Sequence, residues 1–175
     1  MSKKYIHLII FITLYLSNTA VFADNVNLLF TGRIISPPCT FDSVNSDLNP
    51  SLGNIPLEKL SQPASNSNEV SFKISLINCP SSTHKVIVNF SGDSYSDNVS
   101  IFSNKGTAMN VGVQLKQQGD EWGTSSVHPG SSIIKNIESS SNVINLFLAA
   151  RAYTQTGNVV PGTIRSSITI SFIYQ

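Results

Sequence analysis

The sequence predicts an all-β sandwich, on three observations. Nearly every patterned segment alternates apolar and polar residues with period two, the mark of strands with one buried face. The segments between them are rich in Ser, Asn, Gly and Pro, which supply turn geometry and local side-chain to backbone bonds that compete with ladders. No window after residue 23 sustains a helical period. Several short strands at this spacing argue for two packed sheets.

The first 23 residues read as an export signal. Lys3 and Lys4 form a positive start, Ile6 to Leu16 an apolar run too short to span a bilayer, and Val21-Phe22-Ala23 a cleavage site with small residues. No second apolar stretch of spanning length follows, so no stable membrane insertion is expected and the product should be soluble and exported. The 152 residues after the signal suit one domain with a sizeable core. They carry nine Lys and Arg against ten Asp and Glu, which leaves neither a nucleic-acid footprint nor a basic membrane patch. Sparse charge with abundant Ser, Thr and Asn fits an extracellular β-protein, or one packed against copies of its neighbours.

Cys39 and Cys79 would meet an oxidising compartment after export, where a disulfide is the default. Closing a loop of about forty residues is worth roughly 4 kcal/mol on the chain-entropy model. Two cysteines so far apart, with only His84 and His128 beyond them, lack the ligand-pair spacing of a metal site.

Taken in order, "EVSFKISLINC" places Val70, Phe72, Ile74 and Leu76 on one face, with Ser71, Lys73 and Ser75 on the other. "KVIVNFSG" repeats this with Val86, Val88 and Phe90, "NVGVQLKQ" with Val111, Val113 and Leu115, and "NVINLFLAARAY" with Ile144, Leu146 and Leu148. "TIRSSITISFIYQ" offers Ile164, Ile168, Ile170, Phe172 and Tyr174. Glu58-Lys59 suits a short helical turn.

No constellation carries chemistry. Asp120-Glu121 is the only adjacent acidic pair, and neighbours on a strand point to opposite faces, so it reads as a solvated turn beside Trp122-Gly123. His84 and His128 read as loop residues. The serines have neither a G-x-S-x-G elbow nor a glycine-rich phosphate loop, and Asn98-Val99-Ser100 is a glycosylation triplet expected by chance. Neither an enzyme nor a cofactor is expected.

The informative features are terminal. "TISFIYQ" stops the chain within its best amphipathic strand, so that strand's outer edge has no later partner, and an open edge beside an apolar face needs a cover. At the other end "DNVNLLFTGRIISPPC" places Val26, Leu28, Phe30, Gly32 and Ile34 on one face of an extended segment. Its four large side chains would gain about 6 to 12 kcal/mol on full burial, before ordering costs. A one-residue slip would present Asn27, Leu29, Thr31 and Arg33 instead, so the register is encoded. The two surpluses fit one contact, the N-terminal strand of one molecule filling the open edge of the next. Alternatively the segment is the first strand of its own sandwich.

At this point the residues resemble the subunits of chaperone–usher fimbriae, most nearly the minor subunits of type 1 pili. The match rests on Phe30-Thr31-Gly32 seven residues before Cys39, the second cysteine in "SLINCP", the blocks "FSG" and "NKGTAMNV", the penultimate Tyr174, and Gly162 fourteenth from the end. The resemblance implies an incomplete immunoglobulin-like β-sandwich lacking its last strand, with an N-terminal donor-strand extension. It implies a division into signal peptide 1–23, extension 24–35 and pilin domain 36–175. Val26, Leu28, Phe30, Gly32 and Ile34 would form the donor face, while Gly162, Ile168, Ile170, Phe172 and Tyr174 would border the acceptor groove and meet the chaperone. Cys39 and Cys79 would link the first two strands. Implied partners are a periplasmic pilus chaperone, an outer-membrane usher and neighbouring pilus subunits, with export through the periplasm to a surface fimbrium. The chain has an extension and no space for a lectin domain, which argues against the sugar-binding task of a tip adhesin, and a minor or adaptor subunit is expected in preference to the main shaft subunit. Pro37-Pro38 departs from the pattern and should end the donor ladder. The rival expectation is a self-complete secreted sandwich that recognises a host glycan or protein through its Ser/Asn-rich loops.

Overall fold

A computed structural model describes residues 28–96, 98–123, 126–137 and 142–175. The expected signal at 1–23 and the donor residue Val26 lie outside the described residues. The chain divides into two units between Arg33 and Ile34, and both sheets belong to the second.

Two antiparallel sheets form among the described residues. The larger has the order β1 (Thr40–Phe41), β2 (Val70–Ile77), β9 (Ile144–Tyr153), β6 (Gly112–Gln117), β5 (Asn98–Ser103) and β4 (Ser94–Tyr95), with β7 (Ser126–Val127) also paired to β6. The smaller has the order β10 (Thr169–Tyr174), β3 (Lys85–Ser91) and β8 (Ser132–Asn136). The period-two faces meet between the sheets. Ile74 and Leu76 of β2, Val86, Val88 and Phe90 of β3, Val113 and Leu115 of β6, and Ile144, Leu146 and Leu148 of β9 are all buried in one cluster. The register explains the choice of face, because Phe72 stands opposite Leu148, Ile74 opposite Leu146 and Leu76 opposite Ile144, each on the buried side of a central ladder.

A second, smaller cluster gathers Leu60, Ala108, Val111 and Ala152, with Leu52, Ile55, Val159 and Ile164 partly buried against it. The expected helical turn forms as a 3₁₀ turn over Leu57–Leu60, which delivers Leu60 to this cluster. The disulfide joins Cys39, just before β1, to Cys79, just after β2, so it ties the bases of the first two strands.

The structure adds strands that period-two reading passes over. In β5 the adjacent Ile101 and Phe102 are both buried, which breaks the alternation, and the β4–β5 ladder shifts register between Ser94 and Tyr95. In β8 the pair Ile133-Ile134 puts one side chain inward and the other outward, so its apolar content does not alternate either. Residues 28–35, expected to be strand-like, contain no strand.

Candidate functional site: an apolar groove beside β10

β10 is an edge of the smaller sheet. Its one partner among the described strands is β3, in unbroken register from Thr169 opposite Ser91 to Tyr174 opposite Val86. Along this segment Ile164, Ser166, Ile168, Ile170, Phe172 and Tyr174 are half-buried, while the residues between them are exposed. The apolar members pack against the main core and yet are only half covered. A strand face that touches the core on one side and lies open on the other borders a gap between the sheets.

That gap is a groove made of two adjoining cavities, of about 350 and 690 Å³, which share Leu48, Pro50, Phe72, Leu115, Ser166 and Ile168. β10 and the residues leading into it form one wall. Segment 41–55 forms the other, because its start is hydrogen-bonded to β2 (Asp42 N to Ser75 O, 3.0 Å; Asp47 N to Lys73 O, 2.8 Å) before it departs from the sheet. Phe72, Ile74 and Leu115 supply the floor of the smaller cavity, and Asp47 is the only ionisable side chain among the described residues on its walls.

The upper part of the β10 wall is locked to the β5–β6 connection. Lys105 N donates to Arg165 O at 2.7 Å, Ala108 N to Thr163 O at 3.1 Å, and Met109 and Val160 exchange two bonds at 3.2 Å. Asn104 ties both segments, its Oδ1 accepting from Gly106 N and Arg165 N and its Nδ2 donating to Ala108 O, all at 2.8 Å. Gly106 and Gly162 sit where a Cβ would strike backbone of the opposite segment, at Thr163 and at Thr107-Ala108 respectively, so the two chains approach this closely only with glycine at both places.

Of the acceptor residues expected from sequence, Ile168, Ile170, Phe172 and Tyr174 share the half-covered face. Gly162 lies upstream in the locked segment, lining only the wider cavity. Partial burial pushes the Tyr174 phenol above its ordinary pKa. Of the expected donor residues, Leu28, Phe30 and Ile34 are 77, 88 and 101% exposed, and Gly32 has open space where a Cβ would be. Leu29 and Ile35, on the other parity, are exposed as well. Sequence reasoning missed the whole second wall at Leu48, Pro50, Leu52 and Ile55, where prolines and isolated apolar residues carry no period.

Trp122 also departs from expectation. Rather than marking a bare turn, it is half-buried, with the Arg151 guanidinium 4.0 Å and the Lys116 ammonium 4.7 Å from its ring centroid. Its Nε1 donates to Glu69 Oε2 at 3.0 Å, and Lys116 Nζ is 3.2 Å from the same oxygen. The bond from Lys116 is the main cause that holds the Glu69 carboxyl below the usual range. No group of three or more His, Cys, Asp or Glu that could hold a metal occurs among the described residues, and none of their helices is long and apolar enough to cross a membrane.

Comparison with known proteins agrees with this architecture. The family model described as "Fimbrial protein" matches residues 28–175. The protein FimG of Escherichia coli K12 is 29% identical over 161 residues, covering 92% of each chain, and the uncharacterized fimbrial-like protein YdeR of the same strain is 29% identical over 153 residues, covering 87% of each. Among solved structures, the P pilus rod subunit PapA superposes with a TM-score of 0.66 at 15% identity, over 79% of this chain and all of that one, and shares its immunoglobulin-like pilin fold. The match over most of the chain, on a two-sheet fold with an open groove, makes this chain a member of the fimbrial protein family, a structural subunit of a surface fimbrium and not an enzyme.

Proposed function

We propose that the chain polymerises by donor-strand exchange. The segment 24–35 of one subunit enters the groove of the next, with Val26, Leu28, Phe30, Gly32 and Ile34 facing inward. The observation that carries this reading is the half-covered face of Ile168, Ile170, Phe172 and Tyr174, which packs on the core but lacks a cover among the described residues. An added strand would bury it and pair with the free edge of β10. The exposed apolar run from Leu28 to Ile35 is the matching surplus. Before assembly the groove would be occupied by a periplasmic chaperone and the subunit delivered through an outer-membrane usher, after removal of residues 1–23. The subunit's place would be that of a minor or adaptor component, a reading supported by its resemblance to such subunits of type 1 pili.

The test is a subunit that begins at Gly32, mixed with a synthetic peptide of residues 24–35. Peptide binding with 1:1 stoichiometry, together with the truncated subunit's inability to cap another subunit's groove, is the expected outcome. A truncated subunit that collapses, beside a full chain that is a stable monomer with its own segment paired internally, would overturn the proposal.

A further inference from the structure

The chain between the donor segment and the first cysteine is tied to the fold by a long-range bond at Pro37. Thr83, only 2% exposed, donates its hydroxyl to the Pro37 carbonyl at 2.9 Å across 46 residues of sequence, and its own N–H is bonded to Pro80 O at 2.9 Å. Two residues on, Cys39 is buried and bonded to Cys79. Between these fixed points lie Pro37 and Pro38. Each ring fixes its own φ, and each proline pushes the residue before it toward extended backbone, so Ser36 and Pro37 are restricted to extended conformations and Pro38 has its φ fixed.

The position of this anchor decides which grooves the donor can reach. Thr83 adjoins His84, and the backbone N–H groups of His84 and Lys85 both donate to Gln175 O, so Pro37 lies at the end toward which β10 runs. The other groove wall starts at the same end and runs away from it, with Thr40 opposite Ile77, Phe41 opposite Leu76 and Asp47 bonded to Lys73. A donor attached here could enter its own groove antiparallel to β10 only after first covering the groove's length. That length, Ile164 to Tyr174, is about 33 Å at strand rise, whereas the two residues from Ile35 to Pro37 reach about 7 Å. The remaining route is a sharp reversal within residues 36–40, giving a parallel strand, and this is the stretch whose freedom the two prolines, the Thr83 bond and the disulfide restrict.

We propose that Thr83 and Pro37-Pro38 form an exit clamp that denies the donor segment its own groove and commits it to another molecule. This rests on the strand-donation reading above. Thr83 is then a positioning residue, which acts on the donor only through the direction in which the chain leaves Cys39.

The experiment refolds chain 24–175 at low concentration and measures the fraction of monomer that refuses a fluorescent peptide of residues 24–35, with size followed by light scattering. Wild type and Thr83→Ser, which keeps the hydroxyl, should give monomers that accept the peptide and, at higher concentration, chain into multimers. Thr83→Val and, independently, Pro37→Gly combined with Pro38→Gly should raise the refractory monomer fraction at least fivefold and lower the multimer yield in step. If Thr83→Val does not fold, the double glycine variant alone decides. Equal peptide acceptance in all folded variants overturns the clamp and leaves strand donation standing. Failure of every variant, wild type included, to take the peptide overturns both.

Discussion

Thr107 and Thr163 bond to each other reciprocally. The backbone N–H of each donates to the hydroxyl oxygen of the other, at 3.0 and 2.9 Å, and the two hydroxyls lie 3.2 Å apart. This exchange is the centre of the lock between the β5–β6 connection and the residues leading into β10, and it fixes the upper groove wall without a continuous ladder. Thr163→Val should cost about 1 to 2 kcal/mol, since it removes the acceptor for Thr107 N and a hydroxyl partner. Urea unfolding of the peptide-filled subunit measures it.

Gly106→Ala should be worse. Its Cβ would collide with the Thr163 carbonyl, a backbone atom that cannot swing aside, so the lock must open. A loss of about 2 to 4 kcal/mol is expected, along with faster amide exchange at Lys105 and Ala108, whose N–H groups bond to Arg165 and Thr163. Unchanged exchange at those amides would show that the segment is held by something else.

The two faces of β10 should respond differently to charge. Ile170→Asp places an unpaired carboxylate on the half-buried face and should weaken donor-peptide binding about 100-fold, on a penalty of roughly 3 kcal/mol. Ile173→Asp, on the exposed parity of the same strand, should leave binding within about twofold. Titration of labelled peptide into each variant makes the comparison.

Reduction of the disulfide should cost about 2 to 5 kcal/mol, since Cys39 and Cys79 close a loop of 40 residues and both are buried. Cys39→Ser with Cys79→Ser should lower the urea midpoint to the same value as the reduced wild type. A midpoint equal to that of the oxidised protein would contradict this.

The Glu69 carboxyl has its pKa lowered in the fold, chiefly by the bond from Lys116, so its contribution to stability is present above the ordinary glutamate value of about 4.3 and is lost as pH falls through the lower folded value. Trp122, the only tryptophan, donates to the same carboxylate and reports the step directly. Its fluorescence should change with a midpoint below about pH 4.3, and Glu69→Gln should abolish the step.

What was legible in the sequence was whatever alternates. The inward sets of β2, β3, β6 and β9 follow from period two, because a one-residue slip would expose every member at once. Ile168 to Tyr174 were legible for the same reason, including their placement on one face. β8 was not, since Ile133 and Ile134 are adjacent, nor was β5, where Ile101 and Phe102 are both buried across an irregular ladder. The 41–55 wall was hidden more deeply, because its apolar residues meet the groove from a path set by the bonds of Asp42 and Asp47 to β2 and not by local periodicity. Trp122 found its cations on β6 and β9, partners that its own neighbourhood in the chain does not announce.

The disulfide has a mechanical meaning as well as a thermodynamic one. Cys79 lies on the connection from β2 in the larger sheet to β3 in the smaller, so tension applied to the backbone at Ser36 enters the fold at Cys39 and passes through sulfur to the joint between the sheets. From there it reaches both sheets at once, the larger through β2 and the smaller through β3.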